Sequence, residues 1–186
     1  MNRSQLEHIL RAAGAAPGHR RFVLVGSAAV FAWRESVSPT LALSREADIF
    51  ADTDDMDEIE RVADELDGVL GQASTFDASF GYYCDGVGAE TAVLPRQWRD
   101  RAVVFETPAT GGVSALAPEP DDLGLAKLAA GREKDMAWLL AAADDGLLDF
   151  QTMRARLPEF PVERVSGGLA VLETRLAVLE HRRTPR

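Results

Sequence analysis

Cysteine is nearly absent: Cys84 stands alone in 186 residues, so no intrachain disulfide can form and the chain suits a reducing compartment. Lysine is almost as scarce, with Lys127 and Lys134 the only two, both in one short segment. Positive charge is in deficit overall. Twenty Lys and Arg face thirty Asp and Glu, a net charge of −10 and a pI near 4.8. That balance argues against broad electrostatic binding of nucleic acid, although a local basic groove stays open. Contact with a polyanion would call for divalent cations to neutralise it. Long apolar runs are missing too: none approaches the roughly 18 residues of a membrane span. The opening stretch "MNRSQLEHILRAAG" is amphipathic and has no apolar core of signal-peptide length. A cytoplasmic protein is expected.

What is present is globular. Hydrophobic residues make up 46% and charged residues 27%, with no low-complexity tract or internal repeat. Leu6, Ile9, Leu10 and Ala13 recur at helical spacing, which predicts a first helix over about 3–13 ending at Gly14. "RFVLV" (21–25) is a buried-type strand closed by Gly26, and "SAAVFAW" from Ser27 reads as a helix with a hydroxyl near its N-cap.

Residues 41–50 read as the next strand. Leu41, Leu43, Ala47 and Ile49 share one face, with Arg45 the exception; Ala42, Ser44, Glu46 and Asp48 share the other. The stretch Thr53-Asp54-Asp55 is expected to cap a helix running to about Leu66, whose inner stripe is Met56, Ile59, Val62, Ala63 and Leu66. A hairpin is expected next, "SFGYYC" and "VGAETAVLP" joined by an Asp85-Gly86 turn, with Glu90 in its second strand. A short strand over 102–107 leads into a Thr/Gly/Pro loop.

Beyond Pro118 the pattern turns helical. Helices are predicted from Pro120 to Gly131, from Arg132 to Gly146, and at about 149–157 and 161–181. The fold expected is α/β (α+β): a small mixed sheet with flanking helices over 1–117, then a helical region over 118–186.

Four features bear chemistry. Gly26-Ser27 lies between a strand and a helix start, where unpaired N–H groups can receive phosphate; a plain tight turn is the ordinary alternative. Glu46 and Asp48 project from one strand face roughly 7 Å apart. Their repulsion is relieved by Mg²⁺, which takes one or two carboxylates plus water and phosphate oxygens, or else by solvent or arginine. Glu90 offers a third carboxylate or a surface charge. Lys127, near Arg132, Lys134 and Asp135, is either a substrate-facing cation or a structural partner of Asp122 or Asp135. His8, His19 and His181 make no metal-ligand spacing, and no P-loop or nucleophile elbow occurs.

Taken in order, "LVGSAAV" and "SREADIF" resemble the nucleotidyltransferase superfamily with its polymerase-beta-like fold. "EPDDLGLAKLAAGREKDMAWL" resembles a segment of the bacterial minimal and abortive-infection-type branch, and the likeness spans roughly 21–145. The resemblance implies a nucleoside triphosphate bound with Mg²⁺ (or Mn²⁺) and transfer of a nucleotidyl group to an unknown hydroxyl acceptor. It assigns metal ligation to Glu46, Asp48 and Glu90. It gives the nucleotide to Gly26, Ser27, Ser44 (where the family often has Thr), Lys127 and Arg132, and a positioning or base role to Asp135. Glu46 and Glu90 stand where the family usually has Asp. An alternative is therefore a catalytically inactive module acting through a protein partner, as in a toxin–antitoxin pair, or as a homodimer. An exposed stripe of Leu169, Leu172, Leu176 and Leu179 would favour that alternative.

Overall fold

The computed structural model describes residues 1–183, so the last three positions of the expected 118–186 region lie outside the described residues. The chain forms two compact units, Met1–Thr91 with Ala102–Pro118, and Ala92–Arg101 with Glu119–Arg186.

The first unit opens with α1 (Arg3–Ala15). Asn2 accepts the Gln5 N–H while the Gln5 side chain accepts the Asn2 N–H, a reciprocal cap that starts the helix sharply. Leu6, Ile9, Leu10 and Ala13 face inward, as their spacing predicts. Strand β1 (Arg21–Val25) is buried from Phe22 on. Gly26 then leads into a 3₁₀ turn (Ser27–Ala29) that runs into α2 (Val30–Trp33).

Strand β2 (Glu46–Ala51) pairs antiparallel with β1, with Val25 opposite Asp48. The strand begins later than its apolar pattern suggests. Leu41 and Ala42 donate N–H to the carbonyls of Ser38 and Pro39, so a turn occupies the first positions. Leu43 is therefore 76% exposed instead of sharing a face with buried Leu41. Helix α3 (Met56–Leu70) is capped by Asp55 and buries Ile59, Val62, Leu66 and Leu70; Met56, in the first turn, stays exposed.

The expected hairpin does not form. Residues 75–80 make α4 (Thr75–Phe80), and β3 (Tyr83–Gly86) runs parallel to β2. Asp85-Gly86 thus lies inside a strand, and Glu90 lies in a turn beyond it and not on a strand. Gly86 has no positive φ. Its missing side chain serves close packing: a Cβ there would stand 2.2 Å from the Ala63 carbonyl oxygen on α3.

After α5 (Trp98–Arg101), β4 (Val103–Phe105) and β5 (Ser114–Ala117) complete the sheet. β5 falls where a loop was expected. It pairs parallel with β1 and antiparallel with β4, giving the order β3-β2-β1-β5-β4. The fold is a mixed five-stranded sheet with flanking helices and a C-terminal helical region.

The second unit packs α6 (Pro120–Ala130), α7 (Glu133–Asp144), α8 (Phe150–Arg156) and α9 (Gly168–Arg183). Arginines of α9 close two helix ends: Arg175 donates to the carbonyls of Leu128 and Ala129, and Arg183 to that of Ala143. Leu172, Leu176 and Leu179 are buried here, which leaves only Leu169 of the suggested docking stripe exposed. Fully buried Asp122 accepts two hydrogen bonds from Arg101 and one from Arg156. No helix among the described residues is long and apolar enough to cross a membrane.

Candidate functional site

Strand geometry assembles the acidic residues. Successive side chains alternate faces, so Glu46 and Asp48 point the same way from β2, and residues in register on a neighbouring strand point with them. In β3, Tyr83 lies in register with Glu46, and Asp85 with Asp48. Neighbouring strands lie about 4.8 Å apart. Three carboxylates, from Glu46, Asp48 and Asp85, therefore share one sheet face. The other face carries buried Ala47, Ile49 and Cys84, and Gly86 meets α3 there.

The end of β1 adjoins this acidic face. Gly26 adopts φ 68° and ψ −166°, a conformation open in practice to glycine alone. A Cβ at this position would come within 1.8 Å of the Asp48 Oδ2 atom. The absent side chain leaves backbone directly beside the carboxylate. Ser44 Oγ donates to the Glu46 carbonyl at 3.2 Å and steadies the entry into β2.

Neighbouring titratable groups register the local excess of negative charge. Burial pushes the Asp85 carboxyl above its ordinary range, and the charges of Asp67 and Glu46 push it further. The Tyr83 phenol is raised by burial and then by Glu46 and Asp85. Burial, Asp67, Asp85 and Asp48 together lift the Cys84 thiol well up, so this buried cysteine is a packing residue with little thiolate.

Glu90, the third carboxylate expected from the sequence, is exposed, and its carboxylate folds back over Gly88. The position in register with the Glu46–Asp48 pair belongs to Asp85. Sequence reasoning missed it because Asp-Gly between β-prone runs reads as a turn. The available signal was "GYYCDG", a β-rich run that follows a helix and carries an acid near its end.

Among the described residues no three His, Cys, Asp or Glu side chains are gathered closely enough to hold a metal ion by themselves. The donor chemistry nevertheless fits Mg²⁺. Carboxylate oxygens are hard ligands, and this ion takes one or two of them while filling its other positions with water and substrate phosphate. A cation there would also relieve the mutual repulsion of Glu46, Asp48 and Asp85.

The remaining candidates lie in the second unit. Lys127 is 6% exposed, with Nζ 3.7 Å from Asp135 Oδ1 and 4.6 Å from the centre of the Trp138 ring. Asp135 is 1% exposed and accepts two hydrogen bonds from Arg132, at 2.6 and 3.1 Å. Burial alone would raise its carboxyl. The Arg132 hydrogen bonds and the charges of Lys127 and Arg132 prevail, and hold it below the ordinary range. Of the two acids weighed as partners for Lys127, Asp135 lies within ion-pair distance of it, and Asp122 is gripped by Arg101 and Arg156.

No curated protein and no solved structure matches the chain. A family described as "Nucleotidyltransferase of unknown function (DUF6036)" matches residues 5–163. That span takes in the whole sheet with its acidic face and the helices carrying Lys127 and Asp135, and the chain belongs to this family of nucleotidyltransferases of unknown function.

Proposed function

We propose that the protein binds a nucleoside triphosphate with Mg²⁺ (or Mn²⁺) and transfers a nucleotidyl group to a hydroxyl acceptor in the cytoplasm. One observation carries this reading: Glu46, Asp48 and Asp85 share a sheet face beside Gly26, whose missing side chain leaves backbone against the Asp48 carboxylate.

Glu46 and Asp48 would hold the metal, with Asp85 completing the acidic face. The metal, when bound, would offset triphosphate charge and stabilise the attacking and leaving oxygens. Gly26 and Ser27 would bring backbone to the terminal phosphates, with Ser44 steadying the β2 entry. The acceptor oxygen would attack the α-phosphorus as the bond to pyrophosphate breaks. Asp85, its carboxyl already raised by burial and neighbouring charge, is suited to take the acceptor's proton. Glu90, exposed on its turn, is the weaker candidate for the third carboxylate. Asp135 would hold Lys127 and Arg132 as a fixed positive group, and these two residues are the cations the family resemblance assigns to phosphate.

The test is calorimetric titration of ATP, GTP and CTP, with and without Mg²⁺, into wild type and Asp48→Ala. Binding that requires both the ion and Asp48 supports the reading. Binding that ignores Asp48, or no binding of any triphosphate, removes it.

A further inference from the structure

Strand β3 lies at the edge of the sheet. In a parallel pair, alternate residues turn their amides toward the neighbouring strand. The Tyr83 and Val87 N–H groups bond the carbonyls of Arg45 and Ile49, at 3.1 and 3.0 Å. Gly86, between Asp85 and Val87, turns its N–H outward. Asp67 Oδ1 on α3 accepts it at 2.7 Å, the short distance of a charge-assisted bond. One helical turn earlier on α3, the Ala63 backbone meets Gly86 where a Cβ would stand. The helix therefore grips this single strand residue at two successive turns.

Neither the core nor the helix itself calls for an aspartate at position 67. The side chain is exposed, so it serves no core, and an acid in the last turn of a helix opposes the helix dipole. The contact with Gly86 does account for it. We propose that Asp67 is a positioning residue for Asp85: by closing the outer edge of β3 it fixes the strand end on α3, and with it the placement of the Asp85 carboxylate beside Asp48. The proposal rests on the nucleotidyltransferase reading only for its consequence in nucleotide binding. The placement itself is a property of the free protein.

The experiment compares Asp67→Ala with Asp67→Asn, which keeps an acceptor oxygen without the charge. Amide exchange at Gly86 is read in the free protein, together with the Asp85 side-chain carboxyl ¹³C resonance at a pH high enough that Asp85 is ionised in every variant, so that loss of the Asp67 charge does not itself change its protonation. Mg²⁺-dependent ATP affinity is read by calorimetry. Asp67→Ala is expected to speed Gly86 exchange about tenfold, to move the Asp85 resonance, and to weaken ATP binding on the order of tenfold, the usual range for a residue supporting a metal site. Asp67→Asn is expected to restore exchange and affinity to within about threefold of wild type and to return the Asp85 resonance to its wild-type position. An unmoved Asp85 resonance in Asp67→Ala overturns the proposal, and so does Asp67→Asn behaving like Asp67→Ala. If wild type binds no triphosphate, the nucleotidyltransferase reading fails by itself. The Asp85 resonance then still decides the positioning role: moved in one variant and restored in the other upholds it, unmoved overturns it.

Discussion

Gly26 and Asp48 are in contact through a side chain that is not there: a Cβ on residue 26 would stand 1.8 Å from Asp48 Oδ2. Gly26→Ala meets two penalties, overlap with the carboxylate and a φ of 68° that L residues rarely adopt. It is expected to cost about 1–3 kcal/mol in urea unfolding. Displacing Asp48 should also lower Mg²⁺-dependent nucleotide affinity by about tenfold or more, measured by calorimetry. Wild-type affinity in a folded Gly26→Ala protein would remove the argument for backbone approach at this point.

The register of β2 and β3 makes Asp85, and not Glu90, the third acid of the face. Asp85→Asn is expected to abolish Mg²⁺-dependent binding or transfer, while Glu90→Gln changes either by less than about threefold. The two variants titrated side by side settle the assignment. The reverse ranking would return the third position to Glu90.

Asp122 is fully buried between Arg101 and Arg156, and Arg101 also lies 3.0 Å from Glu159. Truncation to Ala leaves a cavity and takes the shared carboxylate from both guanidinium groups, leaving Arg101 with Glu159 and Arg156 with Glu119. Removing one partner of a buried ion pair typically costs about 3–5 kcal/mol. Chemical denaturation of Asp122→Ala should show a loss of this size. A loss below about 1 kcal/mol would mean that the cluster relaxes into solvent.

Asp121 titrates unusually high. Burial raises its carboxyl to about 6, although the Asp149 N–H donates to it at 2.8 Å and Arg156 lies near. The folded state therefore binds this proton more tightly than the unfolded state, whose value lies near 3.9. The group's contribution favours folding below the unfolded value and is lost as pH rises toward about 6. Asp121→Asn keeps an acceptor for Asp149 without the charge. It should melt higher than wild type at pH 7.5 and flatten the stability profile between about pH 4 and 6. An unchanged profile would contradict the raised carboxyl.

Asp135 has the opposite sign. Its carboxyl lies below the ordinary range in the folded protein, so its contribution is complete above the unfolded value near 3.9. That contribution is lost as pH falls through the lower folded value. Asp135→Asn should therefore destabilise the protein at neutral pH and differ progressively less from wild type under strong acid, as followed by thermal melts. The two windows barely overlap, so Asp121 and Asp135 can be read separately from one set of melts.

Elements built on local signals were legible from the chain. The apolar spacing of α1, the apolar run of β1, the capping stretch Thr53-Asp54-Asp55 before α3, and the Pro120 and Gly131 bounds of α6 act within a few residues of themselves. β3 and β5 were not legible. "SALA" has little strand character alone and is ordered by lying between β1 and β4. Asp85-Gly86 carries a strong turn signal, but its glycine answers a long-range demand, the approach of Ala63 on α3.

The candidate site divides in the same way. Glu46 and Asp48 share a face because a strand alternates with period two, a local rule that the sequence alone determined. Which acid joins them depends on the pairing of β2 with β3, two strands separated in the chain by all of α3 and α4. Only the tertiary structure brought Asp85 beside Asp48, sent Glu90 to an exposed turn, and joined Lys127 to Asp135. Register and helix packing are cooperative properties of the folded whole, and no short stretch of chain carries them.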